Sequence, residues 1–197
     1  MKYDKKSISS LLRLPQTVFS FKEISMIWGD TNQNATISAV NYYVRTGQLF
    51  RIRKGFYAKH TNYDPLELAT KIYTPAYVSL QTVFRREGMI FQHYESIFVM
   101  SYLTRTIRCD NKVIEIKKMK NEVLTNTEGL INMGNYFIAT KERAFLDMLY
   151  LLPRYGFDNL RSIDWNTCFQ LVKIYYKKTL VKTLKEYHKL YAQSKQT

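Results

Sequence analysis

The residues with the clearest chemistry lie within residues 32–59, where small and polar side chains are followed by closely spaced cations. Arg51, Arg53, Lys54 and Lys59 flank a single glycine, Gly55. Guanidinium and ammonium groups at this density suit the phosphate oxygens of a nucleic acid. The Asn, Gln, Ser and Tyr side chains upstream offer hydrogen bonds to base edges or phosphates. The segment therefore predicts a contact with nucleic acid.

No motif for catalysis or metal binding accompanies this segment. The histidines, His60, His93 and His188, have no partners at ligand spacing, and Cys109 and Cys168 lie far apart without a CxxC. This spacing argues against a zinc site or a disulfide framework. The sequence also lacks a phosphate-binding loop, a nucleophile elbow and a dinucleotide fingerprint. We therefore expect no enzymatic activity, no catalytic residue, no metal and no cofactor.

The charge of the chain is large and unevenly distributed. The 197 residues include 30 Lys and Arg against 16 Asp and Glu, a formal net charge of +14. Basic residues exceed acidic ones in residues 1–60 and 151–197, whereas residues 61–150 are nearly neutral. Such charge favours a polyanionic partner, either nucleic acid or an acidic protein or membrane surface. A general lysine bias is the alternative, but it would not concentrate charge at the two ends.

The positions of apolar residues and helix caps predict the elements that carry the basic segment. Residues 7–14 and 20–28 have helical spacing, and Ser20 and Glu23 form a capping-box pattern. A third helix is predicted for residues 34–46, and a hairpin with its bend at Gly55 for residues 49–58. This order of two helices, a turn, a third helix and a basic hairpin indicates a winged helix-turn-helix in residues 1–60.

The third helix is predicted to present one polar face. Ile37, Val40 and Val44 form the expected buried stripe, with Ser38 and Tyr42 opposite them. The full set of predicted DNA-binding residues is Asn32, Gln33, Asn34, Thr36, Ser38, Tyr42, Arg45, Arg51, Arg53 and Lys54. Two alternatives stay open, namely a surface helix of mixed polarity and an edge hairpin whose cations prevent aggregation.

Residues 61–197 predict a second domain of mixed α+β structure that ends in helices. Strands are expected within residues 97–119, and helices are expected to begin at Pro65, Ser79, Thr140 and Asp164. We expect Asp147, within an apolar helical stretch, to be paired with an arginine or with backbone amides rather than to act in catalysis. The lysines of the last helix suit phosphates, an acidic protein or a second copy, but a solvated helix face is equally compatible.

Three motifs in order resemble a known family. The segment GQLFRIRKGFYA (residues 47–58) resembles the "G-x-L-x-R-x-x-x-G-x-Y" wing of the AbiEi-type antitoxins of type IV, or abortive infection, toxin–antitoxin systems. Pro75, Tyr77 and Ser79 look like that family's "P-x-Y-[IV]-S" region. Residues 140–147, TKERAFLD, look like its "EKALLD" helix, with Arg143 where lysine is usual. The resemblance spans roughly residues 5–150.

The resemblance implies two functions. The N-terminal domain would bind inverted repeats in its own promoter, as a monomer or dimer, and the wing cations would be Arg51, Arg53 and Lys54. The C-terminal domain would counteract a nucleotidyltransferase-type toxin. The short Lys- and Tyr-rich end departs from the family, so no antitoxin residue carries over. Alternatives are an orphan regulator without a toxin, a protein-binding module with a degenerate winged helix, and an RNA-binding protein.

The sequence also predicts the compartment. No apolar run approaches the roughly 20 residues of a membrane helix, and the apolar part of residues 1–16 is too short for a signal peptide. We therefore expect a cytoplasmic protein with reduced thiols and no membrane partner.

Overall fold

The computed structural model describes residues 7–29, 32–92 and 95–194, which form a mixed α+β structure with two sheets. The first part of the chain contains helices and a small antiparallel sheet in the strand order β1-β3-β2. Its elements are α1 (Ile8–Leu12), β1 (Val18–Ser20), α2 (Phe21–Ile27), α3 (Gln33–Arg45), β2 (Phe50–Arg53) and β3 (Phe56–Ala58). The sequence predicted the three helices and the β2–β3 hairpin, but not β1.

Local hydrogen bonds fix where α2 begins. The Ser20 hydroxyl accepts from the Glu23 amide at 3.2 Å, and the Glu23 carboxylate accepts from the Ser20 amide at 2.6 Å. This is the predicted capping box. Phe19 and Ile24 both belong to the small hydrophobic cluster that α1, α2, α3 and the sheet enclose. The apolar contact on both sides of the cap sets the direction in which the chain enters α2.

The remainder of the described chain surrounds a six-stranded mixed sheet in the order β6-β7-β5-β4-β9-β8. Its strands are β4 (Tyr77–Val78), β5 (Ile97–Ser101), β6 (Arg105–Cys109), β7 (Lys112–Lys118), β8 (Leu130–Asn132) and β9 (Phe137–Ala139). Its helices are α4 (Pro65–Lys71), α5 (Gln81–Arg86), α6 (Asn121–Leu124), α7 (Lys141–Leu151), α8 (Trp165–Leu171) and α9 (Lys178–Ser194), with a 3-10 helix at Val172–Tyr175 between the last two.

Burial explains the composition of the central strands. Every residue of β5 is buried, and β5 pairs in parallel with β7 and antiparallel with β4. A strand covered on both faces is apolar throughout rather than alternating. The β6–β7 turn has Asp110 and Asn111 at positive φ, which is the two-residue hairpin geometry that the sequence predicted there.

Two predictions about helices were wrong. The Ser79 hydroxyl does not cap α5 but donates to the Asp147 carboxylate at 2.8 Å, and Leu80 holds the cap position without a side-chain bond. The helix expected to continue from Trp165 to about residue 178 ends as an α-helix at Leu171 and continues as the 3-10 helix. Thr140 and Asp164 cap α7 and α8 as predicted.

A buried ion pair lies at the centre of the larger core. Arg143 and Asp147, one turn apart on α7, are both fully buried, and Nε of Arg143 lies 3.4 Å from Oδ1 of Asp147. The carboxylate also accepts hydrogen bonds from the Tyr77, Ser79 and Tyr175 hydroxyls at 2.6–3.1 Å. The prediction that an arginine would pair with Asp147 is therefore confirmed.

The guanidinium of Arg143 is satisfied by backbone carbonyls as well. Its Nη1 donates to Glu128 O at 2.6 Å, and its Nη2 donates to Val123 O at 2.7 Å. Its Cζ lies 5.2 Å and 5.5 Å from the ring centroids of Tyr77 and Tyr175. The ion pair thus joins α7, β4, the segment from α6 to β8 and the 3-10 helix. A buried charge with this many partners is costly to leave unpaired.

Polar contacts also join the two parts of the chain. The buried Glu67 carboxylate on α4 accepts from the Thr17 amide and hydroxyl at 2.8 Å and 2.7 Å. Lys71 donates to Val18 O and to the Glu23 carboxylate at 2.7 Å and 3.0 Å. Burial alone would raise the pKa of Glu23, but the Ser20 amide and Lys71 outweigh it and hold that pKa below its ordinary value. The predicted domain boundary at residue 60 stays a prediction.

Removing one charge of the buried pair should destabilise the protein strongly. Asp147→Asn keeps the size of the side chain but leaves Arg143 as an uncompensated buried charge. We expect the free energy of unfolding to fall by about 3–5 kcal/mol, measured by urea denaturation followed by circular dichroism.

The matched control is Asp164→Asn, because asparagine and aspartate cap helices about equally well and Asp164 is exposed. This control should leave the unfolding midpoint nearly unchanged. Equal midpoints for the two variants would show that the Arg143–Asp147 pair is not a major determinant of stability.

Candidate nucleic-acid interface

The helix α3 is capped by Asn32, one of the residues that the sequence assigned to DNA contact. The Asn32 side-chain oxygen accepts from the Asn34 and Ala35 amides at 3.1 Å and 3.3 Å, and so caps α3. Asparagine is a favoured cap because it satisfies amides that have no partner within the helix. The side-chain oxygen of Asn32 therefore stabilises the start of α3. Gln33 and Asn34, in the first turn, have exposed side chains.

The exposed face of α3 is rotated relative to the predicted one. Besides Gln33, the exposed side chains of α3 follow helical spacing and consist of Asn34, Ile37, Ser38, Asn41, Tyr42 and Arg45. We refer to these six residues as the α3 face. Its polar members can donate or accept hydrogen bonds, and Arg45 adds a cation at the last turn.

Two residues of α3 lie on the side opposite to the one predicted. Thr36, assigned to DNA contact, is fully buried, and Ile37, assigned to the core, is 45% exposed. Val40 is buried as expected, and Tyr43 and Val44 pack partly against the same cluster. A buried stripe of Thr36, Val40 and Tyr43 fits helical spacing as well as the predicted one does. Apolar character alone therefore selected the wrong side for residue 37.

Arg51 connects the hairpin to the α3 face. Its Nη2 donates to the Asn41 side-chain oxygen at 2.7 Å, and its Cζ lies 5.7 Å from the Tyr57 ring centroid. These two contacts orient the guanidinium beside α3. Arg45 lies similarly close to Tyr42, with Cζ 6.0 Å from the ring centroid. Asn41 was not among the predicted residues, although its spacing of three from Ser38 and seven from Asn34 indicated the same face.

The other cations of the hairpin have different surroundings. Lys54 is exposed at the bend, next to Gly55, whose φ of +81° is a conformation that glycine adopts readily. Arg53 is half-buried, and its Nη1 is buried without a hydrogen bond to any part of the chain that the structure describes. Burial raises the pKa of the Cys109 thiol, and nearby Arg53 opposes that rise. Arg53 thus faces the β6–β7 turn, so Lys54 is the more accessible cation.

Lys59 has a structural role. Its ammonium donates to the carbonyl oxygens of Leu12 and Leu14, where α1 ends. A cation at this position satisfies carbonyls that have no partner within the helix. Burial lowers the pKa of Lys59. Lys59 therefore stabilises α1, and the exposed cations around the α3 face are Arg45, Arg51 and Lys54.

The described residues contain no group of three or more His, Cys, Asp and Glu side chains that could hold a metal ion, and His93 lies outside them. None of the described helices combines the length and apolar character needed to cross a bilayer. The absence of catalysis stays a prediction. Comparison with known proteins returned no match, either to a protein-family model or to a curated protein.

The corrected orientation of α3 can be tested by two alanine substitutions. Val40→Ala removes two methyl groups from a buried site and should lower the free energy of unfolding by about 2 kcal/mol. Ile37→Ala removes more carbon from an exposed site and should cost under about 1 kcal/mol. Urea denaturation measures both. A larger loss for Ile37→Ala than for Val40→Ala would restore the original assignment of faces.

Proposed function

We propose that the first part of this chain is a winged helix-turn-helix that binds double-stranded DNA through the α3 face. The observation that carries the proposal is the Arg51–Asn41 hydrogen bond, which joins the hairpin that carries the exposed Lys54 to the exposed polar residues of α3. The order of helices and strands and the β1-β3-β2 sheet also support it. In this arrangement the recognition helix enters the major groove and the hairpin contacts the adjacent backbone.

The proposed contacts divide into two kinds. Asn34, Ser38 and Asn41 present short polar groups near the helix surface, which suits hydrogen bonding to base edges. Arg45 and Lys54 present charge, which suits phosphates and carries little sequence information. Arg51 is held by Asn41, so its guanidinium can contact a phosphate while it also orients Asn41 for a contact with a base edge. Binding to an inverted repeat requires two copies of α3, supplied by a dimer or by two monomers on the DNA.

Salt dependence distinguishes the two kinds of contact. For duplex DNA from upstream of the gene, Lys54→Ala and Arg45→Ala should each reduce the slope of log K against log salt by about one, because each removes one phosphate contact. Asn34→Ala should instead narrow the preference for upstream DNA over a scrambled duplex and leave the slope unchanged. Fluorescence anisotropy over a salt series measures both quantities.

Lys182→Ala is the control, because Lys182 is also an exposed lysine but lies on α9. It should leave the slope unchanged. A slope that is the same for the wild type and for Lys54→Ala would remove the hairpin from the interface. Preference for structured RNA over duplex DNA would favour the RNA-binding alternative.

We extend the proposal to autoregulation and to neutralisation of a nucleotidyltransferase-type toxin, with promoter DNA and that toxin as partners. The support is the resemblance of Pro75, Tyr77, Ser79 and residues 140–147 to the AbiEi-type antitoxins. Tyr77 and Ser79 meet Asp147 in the buried core, so these motif residues stabilise the fold rather than form an antitoxin surface. If a toxin gene lies next to the gene for this chain, co-expression of the two should restore the growth of cells that the toxin alone inhibits. A variant such as Lys54→Ala that binds DNA more weakly but still rescues growth would show that the two functions are separate.

A protein-docking function is the second candidate. It is favoured by the exposed lysines of α9, namely Lys178, Lys182, Lys185 and Lys189, which follow one another at helical spacing. These lysines would attract an acidic protein surface. This candidate predicts that the chain binds no duplex DNA even at low salt, which the anisotropy experiment measures directly.

A further inference from the structure

A second cationic site lies in a cleft of the larger part of the chain, separate from the α3 face. The cleft has a volume of about 740 Å³ and lies between the first turn of α4, the helix α5, the start of β5 and the β6–β7 turn. Clefts of roughly 300–1,000 Å³ are typical of small-molecule sites. Nothing in the proposed DNA contact uses these residues.

The cleft combines an apolar wall with cations at its edge. Leu66, Ile97 and Ile138 line the wall, and Ile97 and Ile138 are themselves core residues. Arg85, Arg86 and Lys112 also line the cleft, against one carboxylate, Glu95. A site of this composition favours a ligand with a compact apolar or planar body and several negative charges.

The cations come from two separate elements. Arg85 and Arg86 lie in the last turn of α5, and Lys112 begins β7 directly after the Asp110–Asn111 turn. The contact of Arg86 with Glu87 is a long, exposed ion pair at 3.9 Å, which contributes little. The side chain of Lys112 makes no hydrogen bond or ion pair within the described ranges, whereas its backbone belongs to the β6–β7 pair. The side chains of Arg86 and Lys112 can therefore turn toward an anion that lies between them.

The fold fixes the backbone segments from which the cationic side chains extend. The Thr82 hydroxyl accepts from the Phe98 amide at 2.7 Å and joins α5 to β5. Asp110 accepts from the Tyr63 hydroxyl at 2.9 Å and anchors the β6–β7 turn. Asp110 and Asn111 both have positive φ, so the backbone at the edge of the cleft has a defined turn conformation. A site held on both sides in this way is preorganised for binding.

We propose that this cleft binds a small phosphorylated molecule of nucleotide size, with Arg86 and Lys112 contacting its phosphates and Leu66 and Ile97 contacting its body. A guanidinium group binds two phosphate oxygens at once, and a lysine adds a point charge. The volume is sufficient for a mononucleotide but not for a duplex. The assignment does not depend on DNA binding by α3.

Isothermal titration calorimetry on the full chain tests the proposal with ADP, inorganic pyrophosphate and adenosine as probes. ADP should bind saturably with one site, pyrophosphate should compete with it, and adenosine should bind much more weakly. If pyrophosphate binds as tightly as ADP, the apolar wall adds nothing to binding, and the assignment of a ligand of nucleotide size is wrong. If adenosine binds as tightly as ADP, or if none of the three saturates, the proposal is wrong.

Two double variants locate the site. Arg86→Ala/Lys112→Ala should weaken ADP binding at least about tenfold. The control Lys182→Ala/Lys185→Ala removes the same charge from α9 and should change the affinity less than about twofold, because those residues lie outside the cleft. Equal weakening by both variants would show that ADP responds only to net charge and would overturn the assignment. The assignment would also be overturned if duplex DNA displaced ADP as effectively as pyrophosphate does.

Discussion

The larger part of this protein depends on one buried ion pair. Arg143 and Asp147 are fully buried on α7, and their partners come from β4, from α6 and the segment that follows it, and from the 3-10 helix. Gly129 lies against this pair, because a Cβ there would come within 2.9 Å of Cβ of Arg143. These segments together supply the partners that the two buried charges need. The pair therefore specifies how α7 fits against the six-stranded sheet, and through α4 the sheet positions the smaller part that contains α3.

The connection between the two parts gives α3 a defined setting. Glu67 and Lys71 on α4 bind the chain at Thr17 and Val18 and reach the capping box of α2. The Cys109 thiol contacts Ile52 O at 3.6 Å, so β2 touches the end of β6, directly before the β6–β7 turn. The same turn forms one edge of the proposed phosphate-binding cleft. The surface proposed for DNA and the surface proposed for a small ligand are therefore built on adjoining elements.

Local signals in the sequence predicted local features correctly. The capping box of Ser20 and Glu23, the caps Thr140 and Asp164 and the turn at Asp110 depend on residues within a few positions of one another. The pairing of β1 with β3 joins residues 36 or more positions apart, and no local pattern indicated it. The role of Ser79 was missed because its partner, Asp147, lies 68 positions away. Thr36 is buried and Ile37 is exposed, the reverse of the prediction, because the spacing of the residues permitted two orientations of α3. Tertiary packing selected the orientation whose buried stripe is the less apolar of the two.

Cleavage of DNA by a reagent tethered to the α3 face is the most direct test of the proposal that this face enters the major groove. The native thiols, Cys109 and Cys168, are buried and raised in pKa, so an iron chelate will attach selectively to an introduced cysteine. Ser38→Cys carries the chelate on the α3 face, and Lys182→Cys carries it on α9. If the proposal is right, the reagent at position 38 should cut the bound upstream DNA strongly, with the offset between the two strands that is typical of major-groove cleavage. The reagent at position 182 should give weaker or displaced cuts. Cleavage from position 182 alone, or equal cleavage along the whole duplex from position 38, would contradict it.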